Sequence, residues 1–235
     1  MHAVELCAAD ETLRVRAISA GPHHVLVVVH CLSEGIDICR VFGWGASRHS
    51  QLGVQQAIVP TPRIIHQSPC NAPDSIASVA CGSQHSLLLR SDGTVEGLGS
   101  NRKAQLTFHP DLAHVRSIAC SWNTSYALSR AGVIHAWGSG NHGQLATASA
   151  AASSKSLSIG GGISTLACGS EHIIVLGDDG TSWGWGWNEH GNLGLRHNQD
   201  VHEPTNLQAS RSAHTTATGV VGVWAGCGTS WLALA

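Results

Sequence analysis

One short unit recurs along this chain, and that recurrence limits its fold more than any other feature. The clearest copies are VACGSQHSLLL (79–89), LACGSEHIIVL (166–176) and WAGCGTSWLAL (224–234); IACSWNTSYAL (118–128) and ISAGPHHVLVV (18–28) are weaker ones. In chain order, a second half follows each of the first four copies: VFGWGASRHSQLG (41–53), VEGLGSNRKAQL (95–106), IHAWGSGNHGQL (134–145) and TSWGWGWNEHGNLG (181–194). Aligned on Cys81, Cys120, Cys168 and Cys227, the units repeat every 40 to 60 residues or so, with the length variation in the linkers.

Within a unit the pattern is that of short strands. SLLLRSDGTVEGLG places Asp-Gly between two apolar runs, a hairpin signal, and Ser129-Arg130-Ala131-Gly132 and Gly177-Asp178-Asp179-Gly180 stand at equivalent points. Trp183, Trp185 and Trp187 alternate with Gly184 and Gly186, a period of two that puts the indoles on one face of a strand and bare backbone on the other. Glycine weakens a strand unless another backbone comes close to it. No stretch combines helical periodicity with caps. Four-stranded units at this period predict an all-β β-propeller, with tryptophans filling the space between radially stacked sheets. Each buried indole is worth at most roughly 4–6 kcal/mol.

Composition narrows the class further. The chain has 235 residues, 27 glycines, eight tryptophans and only 12% charged residues, with a formal net charge of −2. It has no block of lysine or arginine, so neither a direct nucleic-acid surface nor an anionic membrane surface is expected. The longest aliphatic run, Val25 to Val29, is far too short for a membrane helix. MHAVELCAADETL lacks the features of a secretory signal. None of the eight cysteines forms a CxxC pair, and they read as reduced thiols in a cytoplasmic protein, with the nucleus also open. The sequon at Asn123 therefore carries no weight.

Several constellations suggest chemistry and are explained by the repeat. Cys81 with His85 and Cys168 with His172 have a metal-like spacing, but the other copies put Ser125 and Trp231 opposite Cys120 and Cys227. The histidines are better read as hydrogen-bonding to loop backbone. GSGNHG (138–143) matches a dinucleotide fingerprint without the helix that fingerprint needs. Ser86 with His85, or Cys168 with His172, lacks a nucleophile elbow, and Asp92, Asp178 and Asp179 belong to hairpin turns. No catalytic residue, metal or cofactor is expected.

The pattern Cys-Gly-x-x-His-Ser, Asp-Gly turn, then Trp-Gly-x-Asn-x-x-Gly-Gln-Leu resembles the regulator-of-chromosome-condensation repeat over about residues 15 to 235. GWGWNEHGNLG and VWAGCGTSWLAL are similar to a narrower group, the alpha-tubulin-suppressor or killer-toxin-insensitivity proteins. The resemblance implies a propeller of which about four to five blades are present, with repeats at about 15–53, 76–106, 115–145 and 163–194 and a half-repeat at 220–235. Residues 1–14 are read as an N-terminal segment ahead of a single propeller domain over 15–235. Seven blades are usual in the family, so either MHAVELC supplies the missing partner strand or the seam is open in a shortened product.

Function is expected at the turns, which the fold should gather on one rim. The partner-binding candidates are Trp187, Asn188, Glu189, His190, Trp122, Arg48, His49, Arg102 and His142, with Asn101, Lys103 and Asn141 at equivalent points. Trp187 could equally pack beneath its own loop. Linkers 146–162 and 197–219, rich in Ala, Ser, Thr and Asn, read as loops. The narrower resemblance implies a non-catalytic interaction propeller. Its partner would be a small zinc-binding electron carrier serving diphthamide synthesis and Elongator-dependent tRNA wobble-uridine modification. The wider family implies the alternative, a guanine-nucleotide exchange factor for a small GTPase.

Overall fold

The computed structural model describes residues 12–33, 35–149, 153–208 and 219–235. The described residues form strands and turns, with no α-helix among them. The first sheet runs β1 (Thr12–Ala20), β2 (His24–Ser33), β3 (Ile36–Ser47) and β4 (Gln56–Pro69) in antiparallel order. A three-stranded second sheet follows: β5 (Ile76–Cys81), β6 (His85–Arg90) and β7 (Val95–Gly99). The third sheet holds β8 (Val115–Cys120), β9 (Thr124–Ser129), β10 (Ile134–Gly138) and β11 (Ser154–Leu157). The fourth holds β12 (Ile163–Cys168), β13 (His172–Gly177), β14 (Ser182–Gly186) and β15 (Val201–Asn206), and the last is the pair β16 (Val220–Ala225) and β17 (Ser230–Leu234).

Local chemistry builds the same meander each time. Between second and third strands, Asp92 Oδ1 accepts from the Thr94 amide at 2.8 Å, and Asp179 Oδ1 accepts from the Thr181 amide at 2.9 Å. The glycine that follows each Asp has positive φ, +87° at Gly93 and +78° at Gly180, where a side chain would strain the backbone. The Trp-Gly steps have a different cause. At Gly186, φ is +103° and an added Cβ would lie 2.5 Å from the Glu171 carbonyl; Gly45, Gly99 and Gly138 are alike. This glycine lets the turn joining the first two strands of its own unit lie against the end of the third strand.

Consecutive sheets stack face to face in chain order. Leu26, Val28, Cys39 and Val41 of the first sheet meet Ile76, Val79 and Leu88 of the second. Ala80, Leu87 and Leu89 then meet Val115, Ile118, Ala127 and Trp137. A third core joins Tyr126, Leu128 and Ile134 to Ile173, Val175, Trp185, Val220 and Val223. Trp137 and Trp185 are fully buried, and each indole N–H donates to the loop after the third strand of the preceding unit, to the Gln105 carbonyl at 2.8 Å and the Gln144 carbonyl at 3.0 Å. The structure is a β-propeller.

Three sequence expectations change. The linkers at 146–162 and 197–219 contain β11 and β15, outer strands whose mostly half-buried, largely polar residues lack the apolar alternation of a strand. Cys227 is not the counterpart of Cys81. The turn bond Gly82 N–H to His85 O recurs as Gly226 N–H to Thr229 O, so Ala225 takes the cysteine position and Thr229 the histidine position. Ser121 N–H to Thr124 O likewise makes Thr124, not Ser125, the counterpart of His85. The suggestion that MHAVELC completes a sheet lies outside the described residues.

Candidate partner-binding site

At one end of the stack, the turns between first and second strands meet the loops that follow the third strands. The loops are built alike. The Gln51, Gln105 and Gln144 side-chain oxygens accept the backbone N–H two residues earlier, at 3.0, 2.7 and 2.8 Å. Each glutamine follows a residue of positive φ: Ser50, Ala104 or Gly143. The turns are tied to one another around the centre. Ser83 N–H donates to the Trp122 carbonyl at 2.9 Å, Trp122 N–H to the Ser170 carbonyl at 2.8 Å, and the Ser170 hydroxyl to the Cys227 carbonyl.

This rim holds a pocket of about 530 Å³ lined by Trp122, His142, Ser170, Glu171, Trp187, Glu189, His190, Cys227 and Gly228. Trp122 is 40% exposed, and Trp187 is half-buried with its ring 4.9 Å from that of His190 in an edge-on arrangement. Glu171 is half-buried. Its carboxylate accepts from Asn123 Nδ2 at 3.3 Å and from Gln144 Nε2, both neutral amides. His142 Nδ1 lies 2.8 Å from Asp200 Oδ2. Two indoles and the carboxylates of Glu171 and Glu189, with no Lys or Arg in the lining, suit a positively charged side chain.

Five of the nine sequence candidates meet here: Trp122, His142, Trp187, Glu189 and His190. Asn188, their neighbour, is fully buried and fastens the loop. Its Nδ2 donates to the carbonyls of His197 (2.9 Å) and Gln199 (3.1 Å), and its Oδ1 accepts the Leu193 N–H at 2.9 Å. Arg48 and His49 line a separate hollow of about 340 Å³ with His23, Gln51, Ile58 and Gln84. Arg102 is exposed on the loop after β7. Sequence reasoning missed Glu171 and Ser170, although both occupy variable positions of the Cys-Gly-x-x-His motif. That motif is a turn on this same rim, which was the available signal.

The repeat's cysteines and histidines serve packing. Cys81, Cys120 and Cys168 line a central hollow of about 240 Å³ together with Ala20 and Ala225. Burial pushes the Cys81 thiol up to about 11 and raises Cys120 well above its ordinary value, so both stay protonated at neutral pH. The histidines form a relay between sheets. His24 Nε2 meets Ser86 Oγ at 2.7 Å, His85 Nε2 meets Ser125 Oγ at 3.0 Å, and His172 Nε2 meets Ser230 Oγ at 3.1 Å. Ser86 and Ser125 donate their own protons to the carbonyls of Gln51 and Gln105, both at 2.8 Å. Each has one proton to give, so the histidine must be the Nε2–H donor.

Comparison with known proteins agrees with this architecture. The "Regulator of chromosome condensation (RCC1) repeat" matches residues 40–89 and 179–231, and a second form of that repeat matches 76–105, 115–144 and 163–192. The ultraviolet-B receptor UVR8 of Arabidopsis thaliana is 26% identical over 83% of this chain and 46% of its own length. The RCC1 repeat-containing protein C10F6.04 of Schizosaccharomyces pombe is 27% identical over 95% of this chain and 60% of its own. The chain thus spans about half the length of these relatives. Yeast RCC1 (Prp20), solved with Kap60 bound to it, superposes with a TM-score of 0.74 at 20% identity, over 99% of this chain and 56% of that one. That likeness shows the fold alone. By its repeats, the chain belongs to the regulator of chromosome condensation (RCC1) family.

Proposed function

We propose that this propeller is a non-catalytic protein-interaction module whose partner inserts a lysine or arginine side chain between Trp122 and Trp187. The observation that carries this reading is the pairing of those indoles with Glu171, a carboxylate held by neutral amides alone among the described residues. A cation over an indole face gains roughly 0.5–2 kcal/mol, and the carboxylate adds a charge-assisted hydrogen bond.

The partner proposed is the small zinc-binding electron carrier implied by the narrower resemblance, with diphthamide synthesis and wobble-uridine modification as the processes served. In support, the two stretches that carry that resemblance converge on one pocket: Trp187, Glu189 and His190 from the first, Cys227 and Gly228 from the second. A titration of the full chain with that carrier tests it. Trp187→Ala should weaken binding at least about ten-fold, as hot-spot aromatics do, and Glu189→Ala should reduce its salt dependence. Absence of binding by the folded wild-type chain would rule out the carrier. Binding that ignored Trp187 would rule out the pocket.

The second reading, nucleotide exchange on a small GTPase, rests on membership of the wider family. Release of a fluorescent nucleotide from Ran-type GTPases distinguishes the two. Acceleration well above the spontaneous rate would favour exchange.

A further inference from the structure

A second cluster of chemically active side chains lies far from the rim pocket, on the first sheet. One ligand atom each from His30, Asp37 and Cys70 lies within 4.8 Å of the other two. Their sequence positions are remote, but adjacent strands bring them together: His30 is on β2, Asp37 on β3, and Cys70 directly follows β4. The Cys70 thiol sits 3.2 Å from Asp37 Oδ1, and the Cys70 N–H donates to the Asp37 carbonyl at 2.9 Å, which anchors that corner. His30 stands opposite Cys39 in the β2–β3 register, and Asp37 stands opposite Leu32, so the two ligands share a face.

We propose that His30, Asp37 and Cys70 bind one zinc ion, with a water completing the coordination. Nitrogen, oxygen and thiolate sulfur together suit this borderline ion better than calcium or magnesium, which take oxygen ligands. Zinc bonds of about 2.0–2.3 Å set ligand atoms roughly 3.3–3.7 Å apart in a tetrahedron. The Cys70–Asp37 separation already approaches that range, and the widest pair must close by about 1 Å, within reach of side-chain rotation. The ion would displace the thiol proton to solvent, one per metal bound, with no change of oxidation state. Its effect is to clamp the β2–β3 hairpin to the end of β4. This inference does not depend on the rim pocket.

The full 235-residue chain, stripped with a chelator under reducing conditions, can be titrated with cobalt(II) and then with competing zinc. The expected result is one cobalt per chain with a thiolate-to-cobalt charge-transfer band in the near ultraviolet, displaced by zinc. Cys70→Ser should abolish that band, and His30→Ala and Asp37→Asn should each weaken binding at least about ten-fold. Zinc should raise the wild-type Tm and leave that of Asp37→Asn unmoved. Asp37 is exposed, so this variant keeps the test decisive if Cys70→Ser fails to fold. Two controls, His66→Ala and Cys227→Ser, should bind as wild type does. A missing band, a band that depends on Cys227, or affinity unchanged in Asp37→Asn would overturn the site.

Discussion

At the residue scale, the motif's histidine depends on its glycine. A Cβ on Gly82 would lie 2.1 Å from His85 Cε1, and one on Gly169 would lie 2.1 Å from His172 Cε1. The imidazole therefore lies directly over a bare α-carbon. At Thr124 the histidine and the glycine are both absent, with Ser121 in the glycine's place, whereas Gly226 is kept beside Thr229; the histidine needs the glycine, but not the reverse. These rings are buried with Nδ1 unpartnered, and burial lowers His24, His85 and His172 each from about 6.5 to about 4. The unfolded chain thus binds protons that the folded chain refuses, so stability is complete above about pH 6.5 and is lost as pH falls toward 4. The loss is on the order of 2–3 kcal/mol per histidine by pH 4. Urea midpoints measured across that range should fall steadily. A flat profile would mean that the rings are not held neutral.

At the element scale, the relay explains a substitution pattern internal to the chain. Histidine on one sheet faces serine on the next in three junctions, but Thr124 precedes a fourth sheet that has Ile173 where the others have serine. Thr124 instead donates to the Ser139 carbonyl of its own unit at 2.7 Å. Donor and acceptor are thus kept or discarded together, because a buried N–H without a partner costs about 1–3 kcal/mol. Ser125→Ile should therefore destabilise by at least that much, and adding His85→Thr should recover part of the loss. A coupling of roughly 0.5–3 kcal/mol by urea unfolding is expected. Strict additivity would show that the junction does not rely on the relay.

At the scale of the whole molecule, the last sheet of the stack presents an exposed apolar face. On the last sheet Trp224 and Trp231 are cross-strand neighbours, 58% and 66% exposed, with Val221 at 63% beside them. On the first sheet Ile18 is 66% exposed, but its strand partner Val27 is buried with Val29, Cys31 and Phe42. The face of the last sheet has the composition of the junctions between the inner sheets and exceeds what isolated surface residues require. The isolated 235-residue chain should self-associate in a concentration-dependent way. In sedimentation velocity, Trp224→Ser with Trp231→Ser should shift it toward the monomer. Unchanged association would assign the contact to another surface.

The repeat, the hairpin turns and the membership of a propeller family were legible in the amino-acid sequence, because each follows from neighbours a few residues apart. Asp-Gly sets a backbone turn, and alternating Trp and Gly sets the two faces of a strand. The rim was also legible, since equal positions in equal units arrive at equal places. Other features were not. The outer strands β11 and β15 carry no apolar alternation because their residues are mostly polar and half-buried at successive positions, with no fully buried face to fill. The equivalence of Cys227 with Cys81 failed because cysteine identity is a weaker marker than the turn bond that closes each unit. Only the tertiary structure could bring Glu171 into one pocket with Trp122 and Trp187, or His30 beside Asp37 and Cys70. Those meetings depend on how strands and sheets far apart in sequence pack together, and a local pattern of residue types carries no information about that packing.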